Sequence, residues 1–310
     1  MEEKTRGTQA PRMNEEVRRR IRANLFEAAL PAIGSWDTFP WHTDTQGNIQ
    51  THKPHSSQAL AIDVFGTVKT SQYRDLILGQ LADHVGLDQT GPWDVSLEWC
   101  SPDNELHEKR QTQIDAAAAS SSVLMFFECK FTELGGSCSQ VEPLKKGPQK
   151  GIIQCNGKYQ LQTNPVNGIS SQCALTGKGI LYWDVIPQIF PHSPRTEYAP
   201  CPFSGPYFQW MRILTLCFER ARTTFKRPVV IAAYAGHQKF EMPQVLASSA
   251  WRAFAGSVGG KSITLSSMSY QTIIGIAEAA VADLPDEVAK WRRLRRWVEQ
   301  KIFTVVSSKE

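Results

Sequence analysis

Val17, Ile21, Leu25 and Ala28 recur at near-helical spacing behind Asn14, whose side chain suits an N-cap, and Glu15 and Glu16 fill the first turn. The pattern predicts a first helix reaching toward Pro31, with Arg18, Arg19, Arg20 and Arg22 on its polar side. Residues 31–55 mix Pro, Gly, Thr, His and Trp without a sustained period and are expected to form a loop. Ser56 then opens a second helical run, expected to stop at Gly66, and residues 74–85 predict a third helix.

Beyond Trp93 the period falls to two. Val95, Leu97 and Trp99 alternate with Asp94, Ser96 and Glu98, as in a half-buried strand. A second strand is predicted over 114–120 despite the low strand preference of Ala116 to Ala119, and a third over 123–131, the most apolar run in the chain. With Ser121 and Ser122 as the turn, the hairpin register sets Asp115 opposite Glu128 on one face. Residues 132–205 are scattered with Gly, Pro, Asn and Gln and predict a loop-rich insertion with short strands such as 179–185. Regular pattern resumes at Tyr207, where Trp210, Met211, Leu214, Cys217, Phe218 and Ala221 complete a helical stripe. A buried strand over 228–234, a helix over 243–255, a strand over 263–267 and helices over 270–283 and 285–303 follow.

With 41% hydrophobic and 21% charged residues in 310, the chain has the composition of a soluble globular protein, which excludes disorder, collagen and a membrane bundle. The net charge of +4 permits a polyanionic partner without requiring one. Residues 1–13 read as a loose polar tail, and the apolar run 25–30 is interrupted by Glu27 and too short for a signal sequence or a membrane span. Seven cysteines with no C-x-x-C pair point to a reducing compartment, so a cytoplasmic location and no membrane association are expected. Cys138, Cys155, Cys173 and Cys201 fall in the insertion, but without paired spacing they are expected to be idle thiols with no stoichiometric zinc.

Glu128 and Lys130 share a strand face and interrupt an apolar segment, a placement that needs a reason. Asp115 and Glu128 side by side repel unless a cation lies between them, and a hard divalent ion is held by one or two carboxylates with water and phosphate oxygens. Lys130 beside it suits the handling of an attacking water, a combination fitted to phosphodiester hydrolysis. Glu98, on the polar side of its strand, is a candidate third carboxylate. The competing reading is an ion pair of Glu128 and Lys130 on a solvated sheet edge.

Asp115 followed by Glu128-Cys129-Lys130 in one hairpin, together with Ser56-Ser57-Gln58-Ala59-Leu60 and Leu97-Glu98-Trp99, resembles the PD-(D/E)XK nuclease superfamily, in particular a bacterial branch of it. The Pro that usually precedes the aspartate is Ile114 here. The resemblance implies a restriction-endonuclease-like α/β fold, a central mixed sheet flanked by helices, with the Cys-containing insertion 132–205 added to it. It implies Asp115, Glu128 and Cys129 as the metal set, Lys130 as the catalytic lysine, Mg²⁺ (or Mn²⁺ in its place) as cofactor and DNA as partner. On this division residues 1–55 are tail, helix and loop, 56–284 the nuclease-like domain, and 285–310 a basic helix. Gln58, Gln209 and Arg212 are candidate phosphate contacts, as are Arg292, Arg293 and Arg296 on the outward face of the last helix. A nuclease-derived scaffold that binds without cutting is the alternative, and a homodimer is compatible with either. Two other motifs fall short: Gly256 to Ser262 is one residue short of a P-loop and runs from helix to strand, and Gly135 to Ser139 lacks the second glycine of a nucleophile elbow.

Overall fold

Helix α1 (Glu15–Ala23) begins where Asn14 accepts the Val17 N–H at 2.8 Å, as its sequence predicts, and a 3-10 turn, Glu27–Ile33, follows. The computed structural model describes residues 13–89, 91–259 and 262–308; the polar tail before Met13 and the Gly260-Lys261 pair of the P-loop-like segment lie outside them. Ser56 caps α2 (Ser57–Ala61), but Gly66 does not stop the helix. The chain passes through a π segment, Ile62–Gly66, into α3 (Thr67–Thr70). Gly66 serves packing instead: a Cβ there would stand 3.1 Å from the Ala29 Cβ and 3.3 Å from the Ala29 carbonyl oxygen. Helix α4 (Arg74–His84) follows.

Strands β1 (Asp94–Cys100), β2 (Gln113–Ala119) and β3 (Val123–Lys130) form an antiparallel meander. The alanines of β2 pair from Ala119 with Leu124 to Ala116 with Phe127, the register read from the Ser-Ser turn. Their small volume complements large neighbours, since Phe127 packs on Phe65 and Phe126 on Trp99 with ring centroids 4.4 and 5.0 Å apart. Tertiary packing thus overrides weak strand preference.

The chain then leaves the sheet. Its excursion holds the short strands β4 (Gln162–Thr163) and β5 (Ser170–Ser171), and α5 (Tyr182–Ile189) where a strand over 179–185 was expected. The segment is short enough for either period; the helical stripe of Tyr182, Trp183, Val185, Ile186 and Ile189 is complete only at its last residue. Helix α6 (Phe208–Thr223) returns the chain to β6 (Arg227–Tyr234), parallel to β3. The helix expected over 243–255 is two, α7 (Glu241–Ala247) and α8 (Ser249–Ser257), because Ser248 turns extended and caps the second by accepting the Trp251 N–H. Strand β7 (Thr264–Ser269), parallel to β6, and helices α9 (Tyr270–Ala280) and α10 (Pro285–Ser307) complete the chain.

The sheet order is β1-β2-β3-β6-β7. One face, carrying Met125, Phe127 and Cys129, packs against residues of α2 to α4, α9 and α10; the other, carrying Leu124 and Phe126, packs against α5, α6 and α8. This is a mixed sheet flanked by helices, compatible with a restriction-endonuclease-like fold. Among the described residues no helix is long and apolar enough to cross a membrane.

Asp63, wholly buried in the π segment, ties the ends of this arrangement together. Its carboxylate accepts the Phe26 N–H at 2.6 Å, Trp297 Nε1 at 2.9 Å and Lys301 Nζ at 2.5 Å, and Lys301 also donates to the Asn24 carbonyl at 2.5 Å. Burial pushes the Asp63 carboxyl above its ordinary pKa, against the pull of Lys301. Lys301→Met should therefore cost about 3–5 kcal/mol in urea denaturation near neutral pH, because it strands a buried carboxylate. The raised pKa means the folded state binds this proton more tightly than the unfolded chain, so the deficit should shrink on acidification, and adding Asp63→Asn should recover part of it.

Candidate active site

Three carboxylates lie in one row across three strands. Leu97 pairs with Ala116 and Trp99 with Ile114, so Glu98 stands beside Asp115; the β2–β3 register puts Asp115 beside Glu128. Glu98 leaves the regular strand, with φ at +51°, and is buried rather than displayed on a solvated polar face. Glu128 and Lys130 are also almost wholly buried, which excludes an ion pair on a solvated edge. Next along the row, Glu128 pairs with Ala232 of β6.

Burial and the neighbouring charges of Glu128 and Glu98 push the Asp115 carboxyl well above the usual range, while its Oδ2 accepts the Cys129 N–H at 2.7 Å. Lys130 reaches Glu128 Oε1 at 2.5 Å and Gln209 Oε1 at 3.2 Å. Burial opposes its charge, but Glu128 and Asp115 outweigh burial and raise its pKa, so Lys130 is an ammonium donor. From α6, the Gln209 amide also donates to Glu128 Oε1 at 2.5 Å and accepts the Gly136 N–H at 2.9 Å.

Gln58 is fully buried on α2, and every role its amide has is internal. It donates to Glu98 Oε1 at 2.8 Å and to the Pro40 carbonyl at 3.1 Å, and accepts from the Thr51 hydroxyl and the His42 N–H. The His42 ring approaches from the N-terminal loop, Nε2 standing 3.3 Å from Glu98 Oε2. Burial disfavours its protonation, but Glu98 and the charges of Asp115 and Glu128 prevail and raise its pKa. Glu98 Oε2 is buried, and His42 is the only side chain that approaches it among the described residues.

Glu98, His42 and Asp115 each offer a donor atom within 4.8 Å of the others, a group able to hold a cation. Three carboxylates against Lys130 and at most one imidazolium leave net negative charge, which a divalent ion offsets. The set differs from the expected one. Glu128 spends an oxygen on Lys130 and Gln209, and the Cys129 side chain points to the opposite sheet face beside the Tyr270 hydroxyl, since neighbouring strand residues alternate. Cys129 therefore contributes its backbone N–H to Asp115 and not its thiol to a metal set.

The row opens on a cavity of about 800 Å³. Across it, Arg212 of α6 grips Glu108 with Nε at 3.0 Å and Nη2 at 2.9 Å, and donates to the Tyr182 hydroxyl at 2.8 Å; Glu108 also takes the Thr112 N–H and hydroxyl. Lys109, Arg110 and Lys178 line the same cavity. Arg292, Arg293 and Arg296 are exposed on α10, whose inner residues pack on the other face of the sheet from Glu128 and Lys130. His42 escaped the sequence reading because its loop has no period, and only the fold brings it to Glu98.

Residues 5–196 match the model of a family described as Restriction Endonuclease associating with ARP. No curated protein and no solved structure matches the chain.

A surface glutamine is worth little, whereas the buried Gln58 amide makes four hydrogen bonds, two of them to the buried side chains of Thr51 and Glu98. Gln58→Leu should lower stability by about 2–4 kcal/mol in urea denaturation, against about 0.5 kcal/mol for an exposed helical position. A loss below about 1 kcal/mol would mean that the amide is not the support of Glu98 described above.

Proposed function

Because the chain belongs to the family of restriction endonucleases associating with ARP, we propose that this site hydrolyses phosphodiester bonds in DNA in a PD-(D/E)XK-type reaction that depends on Mg²⁺ or Mn²⁺. The observation that carries the reading is the buried row of Glu98, Asp115 and Glu128 with Lys130 beside it at the wall of one cavity. Asp115 and Glu98, with His42 at hand, would hold the cation, which supplies polarisation of the phosphate and acidification of a bound water. The oxygens suit Mg²⁺ or Mn²⁺, and the imidazole is better matched to Mn²⁺.

The chain's own groups do the rest. Lys130 Nζ, held between Glu128 and Gln209, donates to the nucleophilic water or to a non-bridging phosphate oxygen and offsets charge that grows there. Its raised pKa makes it a donor and not a base. Gln58 and the Cys129 N–H hold Glu98 and Asp115 in place before substrate arrives, so little reorganisation is left for the reaction. The cavity-side cations Lys109 and Arg110, both exposed, are suited to the DNA backbone.

Purified protein should cut DNA with Mg²⁺ or Mn²⁺. Asp115→Ala, Glu128→Ala and Lys130→Ala should each slow single-turnover cleavage at least about 10²-fold with thermal unfolding still cooperative. Cleavage that persists in EDTA, or in all three variants, would overturn the proposal.

Backbone contact is read separately from chemistry. Lys109→Gln with Arg110→Gln should flatten the log-log salt dependence of DNA binding by about 0.9 per lost phosphate contact, measured in Ca²⁺ to suppress cutting. Arg292→Gln, Arg293→Gln and Arg296→Gln together should leave that slope unchanged, since they ride on the far layer of the sheet.

A further inference from the structure

Four of the seven cysteines lie in the excursion between β3 and α6, and none is in a disulfide. Backbone hydrogen bonds knit the segments that carry them. The Cys138 N–H donates to the Ser204 carbonyl at 3.2 Å, the Cys155 N–H to Gln140 at 3.0 Å, and the Cys201 N–H to Gly157 at 2.8 Å. The loop after Cys173 folds back so that Gly177 donates to the Cys173 carbonyl at 3.0 Å, and Lys178 from that loop bonds the Gln140 side chain. As a result Cys138, Cys155, Cys173 and Cys201 are neighbours of one another in the folded excursion.

The sulfurs are also met by backbone donors two or three residues downstream: Gln140 at Cys138, Leu175 and Thr176 at Cys173, Phe203 and Ser204 at Cys201. A neutral thiol is a weak acceptor and gains little from such an array, whereas a thiolate bound to a cation gains a great deal.

We infer that Cys138, Cys155, Cys173 and Cys201 are the four ligands of a structural zinc ion. The inference reverses the expectation drawn from their unpaired spacing: the pairing is made by the fold, through the strand-like contacts of 138–140 with 154–155 and of 157 with 201, and not by neighbours in sequence. Among the described residues no three of these sulfurs stand within 4.8 Å of one another, so closure on zinc at about 2.3 Å per sulfur turns them inward about their Cα–Cβ bonds, from backbones that already converge. Four protein ligands leave no open position, which makes the ion a structural one. Its place gives it a purpose. Leu134, Gly136, Gln140, Leu175 and Lys178, all near these cysteines in sequence, form one wall of the cavity that holds Asp115 and Glu128.

The test is the metal content of the full chain, purified without a histidine tag and dialysed against metal-free buffer. About one zinc per chain is expected by elemental analysis, reduced to near zero by Cys155→Ser or Cys173→Ser and unchanged by Cys100→Ser at an exposed cysteine outside the cluster. Stripping the ion with a zinc-selective chelator should lower the unfolding temperature of the wild type by at least about 5 °C, with recovery on adding Zn²⁺. Wild-type protein that carries no zinc and cannot be stabilised by it would overturn the inference, whether thiol titration finds seven free cysteines or disulfides among these four. The readout is independent of DNA cleavage, so it stands or falls apart from the nuclease reading.

Discussion

Three carboxylates in one row of a buried sheet repel one another, and much of the surrounding structure answers that repulsion. Glu98, Asp115 and Glu128 sit on adjacent strands next to paired positions of the ladder, which keeps them close together. Each is met by a different element: Gln58 from α2 at Glu98, the β3 backbone at Asp115, Lys130 and Gln209 at Glu128. The compensation is incomplete. One oxygen of Glu98 is met only by the His42 ring and the Asp115 carboxyl is driven toward protonation, so the row is stable as built yet still short of positive charge. On the proposed reading a cation would relieve that deficit, and the supporting bonds hold the row in place without it.

The two faces of the sheet divide the labour. The face backed by α4, α9 and α10 is apolar apart from a single carboxylate knot at Asp63, which joins the first and last helices through Lys301 and Trp297. The other face is apolar only up to Phe126, after which Glu128 and Lys130 take over and α6 supplies Gln209 and Arg212 in place of more hydrophobic cover. The buried charged groups of the candidate site are thus confined to the end of one face, where the strands run out and the chain begins its excursion.

Much of the hairpin was legible in the sequence because its information is local. The Ser-Ser turn set the register, and the register set Asp115 against Glu128. Local pattern also gave the start of α1, though the helix ends at Ala23 and not near Pro31, and it gave α4, α6 and β6, each long enough for its period to declare itself. It misread Gly66, whose role depends on Ala29 in a different segment, and α5, whose eight residues fit two periods. The rest of the site was hidden for one reason: His42 and the partners of Gln58 come from a loop with no period, so only tertiary folding assigns them. Gln58 on an exposed helix and Gln58 at the centre of four hydrogen bonds look the same in one dimension. The family match over residues 5–196 stops before α6, so Gln209 and Arg212 rest on geometry alone.

Lys130 is the last residue of β3 and Gln209 lies in the first turn of α6, yet their side chains touch at 3.2 Å. The whole excursion between them is therefore a closed loop whose roots are fastened at the candidate site itself. For a loop closed in this way the entropic cost of extra length grows only logarithmically, so residues can be gained, lost or exchanged within it while the distance its roots must span stays fixed. The excursion is then the part of this chain most open to evolutionary remodelling. New walls, and with them new preferences for what enters the cavity, can be tried by natural variation or by grafting one such segment onto another scaffold, without disturbing the row of acids that it encloses.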